Sequence, residues 1–98
     1  MLYKIPLQQT PNQTLSFQID RQDIHLSLVT RNNGKLYATI KVGNKLIVAN
    51  RLCLNLVPLI GVDYLPIKGN LAFIDKEGND DPVYTGLNAR FILIYSEK

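Results

Sequence analysis

The chain has 98 residues, 46% of them hydrophobic and 19% charged, which suits one folded domain and excludes a disordered polyelectrolyte. Eleven basic and eight acidic residues give a net charge of +3, and the basic ones are scattered rather than gathered into the stripe a nucleic-acid footprint needs. One cysteine excludes an intramolecular disulfide, and one cysteine with one histidine cannot complete a structural zinc site. No secretory pattern opens the sequence and no apolar run approaches the ~20 residues that span a bilayer, so a soluble protein made in the cytoplasm without membrane contact is expected.

Tyr3 to Leu7 is a short strand candidate closed by Pro6, which cannot donate to a ladder and so confines it to a sheet edge or an arm. After a loop around Pro11, the segment Gln13 to Asp20 alternates Leu15, Phe17 and Ile19 with Ser16, Gln18 and Asp20. That period of two predicts a strand with one buried face. Asp23 to Asn55 then reads as a β-meander. Ile24, Leu26 and Leu28 alternate in its first strand, and Leu36, Ala38, Ile40 and Val42 in its second, with Leu46 to Val48 in the third. Asn33-Gly34 and Gly43-Asn44 supply the positive φ angles that tight hairpins require.

From Leu52 to Ile60 both alternating faces are largely apolar, so the run is buried on two sides or leaves one for a partner. Gly61, Pro66 and Gly69 mark a loop, Asn70 to Asp75 a strand, and Asp75 to Pro82 a polar turn. Leu87 to Tyr95 is the last strand, apolar on both faces as a central strand is. The expectation is an all-β single domain over residues 1–98. It is a small, mostly antiparallel barrel or sandwich of about seven strands, with a central β-meander and no helix. Leu15, Phe17, Ile19, Leu26, Leu28, Ile40, Phe73, Phe91 and Leu93 are its expected core.

No catalytic set is legible. His25 lies on a strand with no nucleophile or orienting carboxylate at a recognisable spacing. Cys53 sits in the most apolar run, where a thiol is structural rather than reactive. The turn Asp75-Lys76-Glu77-Gly78-Asn79-Asp80-Asp81 places oxygen donors at alternate positions, but its glycine is fourth and no helices flank it. A solvated turn fits better than a calcium loop. Tyr37 between Lys35 and Lys41 raises a single-stranded nucleic-acid-binding barrel as the alternative reading, although tyrosine also suits a half-buried sheet position. No catalytic residue, cofactor or metal is therefore expected.

The order of the elements carries a resemblance over Tyr3 to Tyr95. Ile5-Pro6-Leu7 leads to Pro11-Asn12-Gln13, and Leu36-Tyr37-Ala38 follows the first turn of the meander. Leu46-Ile47-Val48 then runs into Val57-Pro58-Leu59-Ile60, Gly69-Asn70-Leu71 opens a strand, Asp81-Pro82 follows the acidic turn, and Ile94-Tyr95 nearly closes the chain. Together these resemble the small baseplate plug proteins of contractile-tailed bacteriophages and prophages. The resemblance implies a virion structural protein without enzymatic activity, located in the tail baseplate, which closes the tail-tube channel or adapts the tube to the hub and spike. Its implied partners are tail-tube, hub and spike proteins and copies of itself, with no specific nucleic acid. Such contacts need apolar area beyond the core. The candidate assembly residues are Leu2, Tyr3 and Ile5 in the N-terminal arm, Cys53 and Val57 in the apolar run, and Val62, Tyr64, Leu65 and Ile67 in the loop after it.

Overall fold

Turn chemistry arranges most of this chain. The computed structural model describes residues 2–19, 21–60 and 69–97. Its strands are β1 (Leu2–Ile5), β2 (Asn12–Ile19), β3 (Gln22–Thr30), β4 (Leu36–Val42), β5 (Lys45–Leu52), β6 (Gly69–Asp75) and β7 (Phe91–Glu97). Strands β2 to β5 follow one another in an antiparallel meander. At its turns Arg21, Gly34 and Gly43 take positive φ angles of 63°, 77° and 60°, the left-handed backbone that returns a strand on itself without splaying the hairpin. The other sheet has the order β1-β7-β6, also antiparallel.

Alternation decides what the two sheets bury. Ile24, Leu26 and Leu28 from β3 and Leu36, Ala38 and Ile40 from β4 meet Leu71, Phe73, Phe91, Leu93 and Tyr95 in one buried cluster. Complete burial of each large side chain stabilises the fold by ~1.5–3 kcal/mol relative to leaving it in water. Among the described residues the fold is a sandwich of two antiparallel sheets with no closed barrel, and β7 is the central strand of its sheet, as its apolar faces predict.

One side of the sandwich is sealed by the segment after β5. Cys53 N donates to Leu36 O at 2.9 Å, still on the four-stranded sheet. The chain then crosses over: Leu56 N donates to Phe73 O at 2.8 Å and Leu59 N to Leu71 O at 2.7 Å, along the outer edge of β6. The Asn70 amide clamps the end of this segment, accepting from Ile60 N at 3.0 Å and donating to Ile60 O at 2.9 Å. On the other side β1 and β2 are not paired with each other. There the Gln13 side chain stands in for a strand partner, bonding both Gln8 N (3.0 Å) and Gln8 O (2.7 Å).

Several sequence expectations need correction. The run 52–60 is not a strand; β5 ends at Leu52 and only Asn55 makes an isolated bridge, to Phe73. β5 itself starts at Lys45 and is longer than Leu46 to Val48, because it absorbs two register shifts against β4, one between Val48 and Arg51 where Asn50 takes φ 49°, the other between Leu46 and Val48. The last strand starts at Phe91 rather than Leu87, since Tyr84–Gly86 forms a single 3-10 turn. Leu15 and Phe17 are only half-buried, because β2 lies at a sheet edge and lacks a second flanking strand.

Candidate assembly surface

Both outer faces of the sandwich are mixed in chemistry. Outward positions of the meander carry Thr14, Ser16 and Gln18 on β2, His25, Ser27 and the exposed Val29 on β3, Thr39 and Lys41 on β4, and the exposed Leu46 on β5. Hydroxyls and amides pair across strands here: Ser16 Oγ lies 2.7 Å from His25 Nδ1, and Asn50 N donates to Thr39 Oγ1 at 3.1 Å. His25 stands opposite Lys41 in the ladder, while the carboxylate of Asp23 is engaged by the Gln18 amide. The serine–histidine contact thus has a lysine rather than an orienting carboxylate as its cross-strand neighbour, which is not a nucleophile–base–orienter set. A depression of about 520 Å³ on this face is lined by Thr14, His25, Ser27, Thr39, Lys41 and Asn50 among others. Tyr37 does not offer a free base-stacking platform: the Arg31 guanidinium lies 4.9 Å from its ring centroid, and its hydroxyl accepts from Asn33 Nδ2 at 3.0 Å.

The outer face of the three-stranded sheet carries an apolar group beside polar residues. Register sets Ile94 between Lys4 and Ala72, and Ile92 beside Ile74. Ile74 is 37% exposed and Leu2 68%, whereas Ile92 is buried. Leu2 stands at one end of this face in a row with the polar Ser96 and Asn70, and the charged Lys4 stands beside Ile94.

A charged clasp fixes the ends of β6 and β7 beside it. The Asp75 carboxylate is buried and accepts from Arg90 Nε and Nη2, each at 2.8 Å, in a two-pronged pair. It also accepts from Glu77 N at 2.9 Å and Asp80 N at 2.8 Å, while Arg90 Nη2 reaches Asp80 Oδ2 at 2.8 Å. Hydrogen bonding from Arg90, opposed by burial and aided by the two backbone N–H groups, holds the Asp75 carboxyl well below the usual carboxylate range. The same contacts push the Arg90 guanidinium above its ordinary value. Asn55 ties the crossing segment in: its Oδ1 accepts from Asp75 N at 2.9 Å, and its N donates to Asp81 Oδ1 at 3.0 Å. The acidic turn is therefore anchored by arginine rather than merely solvated, with both oxygens of Asp75 occupied by N–H donors.

The structure separates the candidate assembly residues. Leu2 is exposed at the start of β1; Tyr3 is half-buried with its ring 6.1 Å from that of Tyr95, and Ile5 is in the core. Cys53 is also in the core, where burial pushes its thiol up to about 12. Val57 is half-buried beyond β6, so Leu2 and Val57 flank opposite edges of the three-stranded sheet. Val62, Tyr64, Leu65 and Ile67 lie outside the described residues. Next to Val57, Leu56 is 63% exposed with φ at 61°. A large apolar side chain rarely adopts that backbone, and here the bond from its N to Phe73 O holds it there.

A scan against protein families matches residues 2–98 to the family described as cyanophage baseplate Pam3 plug gp18. The chain belongs to this baseplate plug family. No curated protein matches it. A baseplate plug is a structural component of the phage tail baseplate and associates with other baseplate or tail proteins. In this plug the residues that sequence reasoning missed are Ile74, Ile94 and Leu56. Ile94 belongs to a second apolar face of β7 that the sequence shows, but its partial exposure, unlike the burial of Ile92, depends on which part of that face remains uncovered. Leu56 gave no signal, since a positive φ at leucine is set by the crossing path.

Proposed function

We propose that this chain is a non-enzymatic structural plug, one β domain over residues 1–98, that closes or adapts the tail-tube channel at the baseplate hub. Its neighbours in this reading are tail-tube, hub and spike proteins together with copies of itself. The observation that supports the reading is the match of residues 2–98 to the baseplate plug family, beside which apolar side chains stay exposed on the surface. The three-stranded sheet leaves Leu2 and Ile74 exposed and Ile94 half-buried beside Lys4, Asn70 and Ser96, and the meander leaves Val29 and Leu46 exposed among hydroxyls, His25 and Lys41. Exposed apolar side chains of this kind gain free energy by packing against a neighbour. The exposed Leu56 and half-buried Val57 extend that apolar surface past the edge of β6.

The test is the double variant Leu2→Asp, Ile74→Lys expressed in place of the native chain. The isolated variant should stay folded, with a stability change within ~0.5 kcal/mol per exposed site. Tails assembled with it should lack complete baseplates by electron microscopy. A virion map in which no neighbour touches this face, or normal infectivity of the double variant, would overturn the reading.

A further inference from the structure

Sheet edges are templates for pairing with other chains, and proteins commonly protect them. Among the described residues, three of the four sheet edges are protected. The β6 edge is covered by residues 55–60 through the bonds to Phe73 and Leu71. β5 carries exposed Lys45 and Arg51 and is interrupted by its bulge. β1 has only four residues, includes Lys4 and is followed by Pro6. β2 is different. It runs eight residues in unbroken register with β3, from Asn12 opposite Val29 to Ile19 opposite Gln22. It contains no charged residue, proline or glycine. Its core-facing Leu15 and Phe17 remain half-exposed where a further strand would cover them.

We propose that β2 pairs antiparallel with β2 of a second copy of this chain, joining two meanders into one continuous sheet with four strands from each copy. The strand is nearly palindromic about Ser16: Thr14 and Gln18 are polar, and Leu15 and Phe17 apolar. A two-fold axis at Ser16 sets Ser16 against its counterpart on the outer face and Leu15 against the partner's Phe17, twice, on the core face. A slip of one residue would turn the apolar pair of one copy against the polar face of the other. A second copy is favoured over a head-to-tail chain because head-to-tail pairing needs another receptive edge, and the other three are protected. Charge favours it too, since a neutral strand sets no like charges opposite each other. The inference rests on the edge strands alone, so its failure would leave the plug reading standing.

Sedimentation velocity of the full chain at rising concentration tests it. The wild type should show a monomer–dimer equilibrium. Ser16→Lys and Ser16→Asp, on an exposed position, should each weaken it roughly five-fold or more, equivalent to ~1 kcal/mol from like charges opposed at the axis. Mixing the two variants should restore the dimer. Should either variant fail to fold, Ser16→Cys carries the test: mild oxidation should cross-link it, while Thr14→Cys, which faces Gln18 of the other copy, should not cross-link. A monomeric wild type, a dimer indifferent to charge at residue 16, or cross-linking through Thr14→Cys instead would overturn the proposal.

Discussion

Asp75 shows how one side chain organises a turn that composition describes only as acidic. Its carboxylate is buried at the end of β6, where an isolated charge is costly, and Arg90 with two backbone N–H groups offsets that cost. Because folding lowers its pKa, the stability it contributes is fully present above the unfolded value near 4 and is lost as pH falls below it. Thermal melts from pH 7 down to pH 2 should therefore show a progressive drop in Tm below about pH 4. Asp75→Asn should melt lower than wild type at neutral pH and show a shallower acid limb. An acid limb identical in the two proteins would show that the clasp contributes nothing to acid sensitivity. The turn was legible from Gly78 and its flanking acids, but Arg90 was not, because it lies 15 residues from Asp75 in the chain and the pairing depends on β6 and β7 being neighbours.

Strand periodicity, by contrast, located most elements and misjudged burial only where position in the sheet mattered. The same alternation appears in β2 and β3, yet Leu26 and Leu28 are buried whereas Leu15 and Phe17 are half-exposed. A period of two names the face a side chain takes but not whether another strand stands beside it. Phe91 and Phe17 put a magnitude on the difference. Phe91 is buried on central β7 beneath the Arg90 guanidinium, 5.0 Å from its ring, so Phe91→Ala should cost about 3–5 kcal/mol. Phe17→Ala, already half in water, should cost nearer ~1 kcal/mol. Urea titrations of the two variants compare them directly. Equal losses would mean that β2 is covered in the free protein, by its own chain or by another copy. The break at Leu87 was illegible for a related reason: Leu87 is buried and apolar like a strand residue, but it closes the 3-10 turn packed under Phe91.

For the molecule as a whole, the two sides of the sandwich are closed differently. The segment 53–60 holds the sheets together on the β6 side, whereas β1 and β2 remain unpaired with each other. Cys53 sits where the chain leaves the four-stranded sheet, and its environment makes it a reporter of that closure. Burial raises the thiol from an ordinary value near 9 to about 12, so it stays protonated when folded while the unfolded chain ionises. The unfolded state then binds fewer protons between those values, and stability must fall as pH rises above about 9. Cys53→Ala should show a smaller loss of stability than wild type between pH 8 and pH 10, measured by urea unfolding at fixed temperature. In the wild type at pH 8, a thiol-specific reagent should label Cys53 far more slowly than in the unfolded chain, because labelling waits for the sandwich to open. Addition of sub-denaturing urea should accelerate that labelling along with global unfolding. Labelling of the native protein at the unfolded rate would show instead that the 53–60 segment detaches on its own, leaving the β6 edge as open to neighbours as β2.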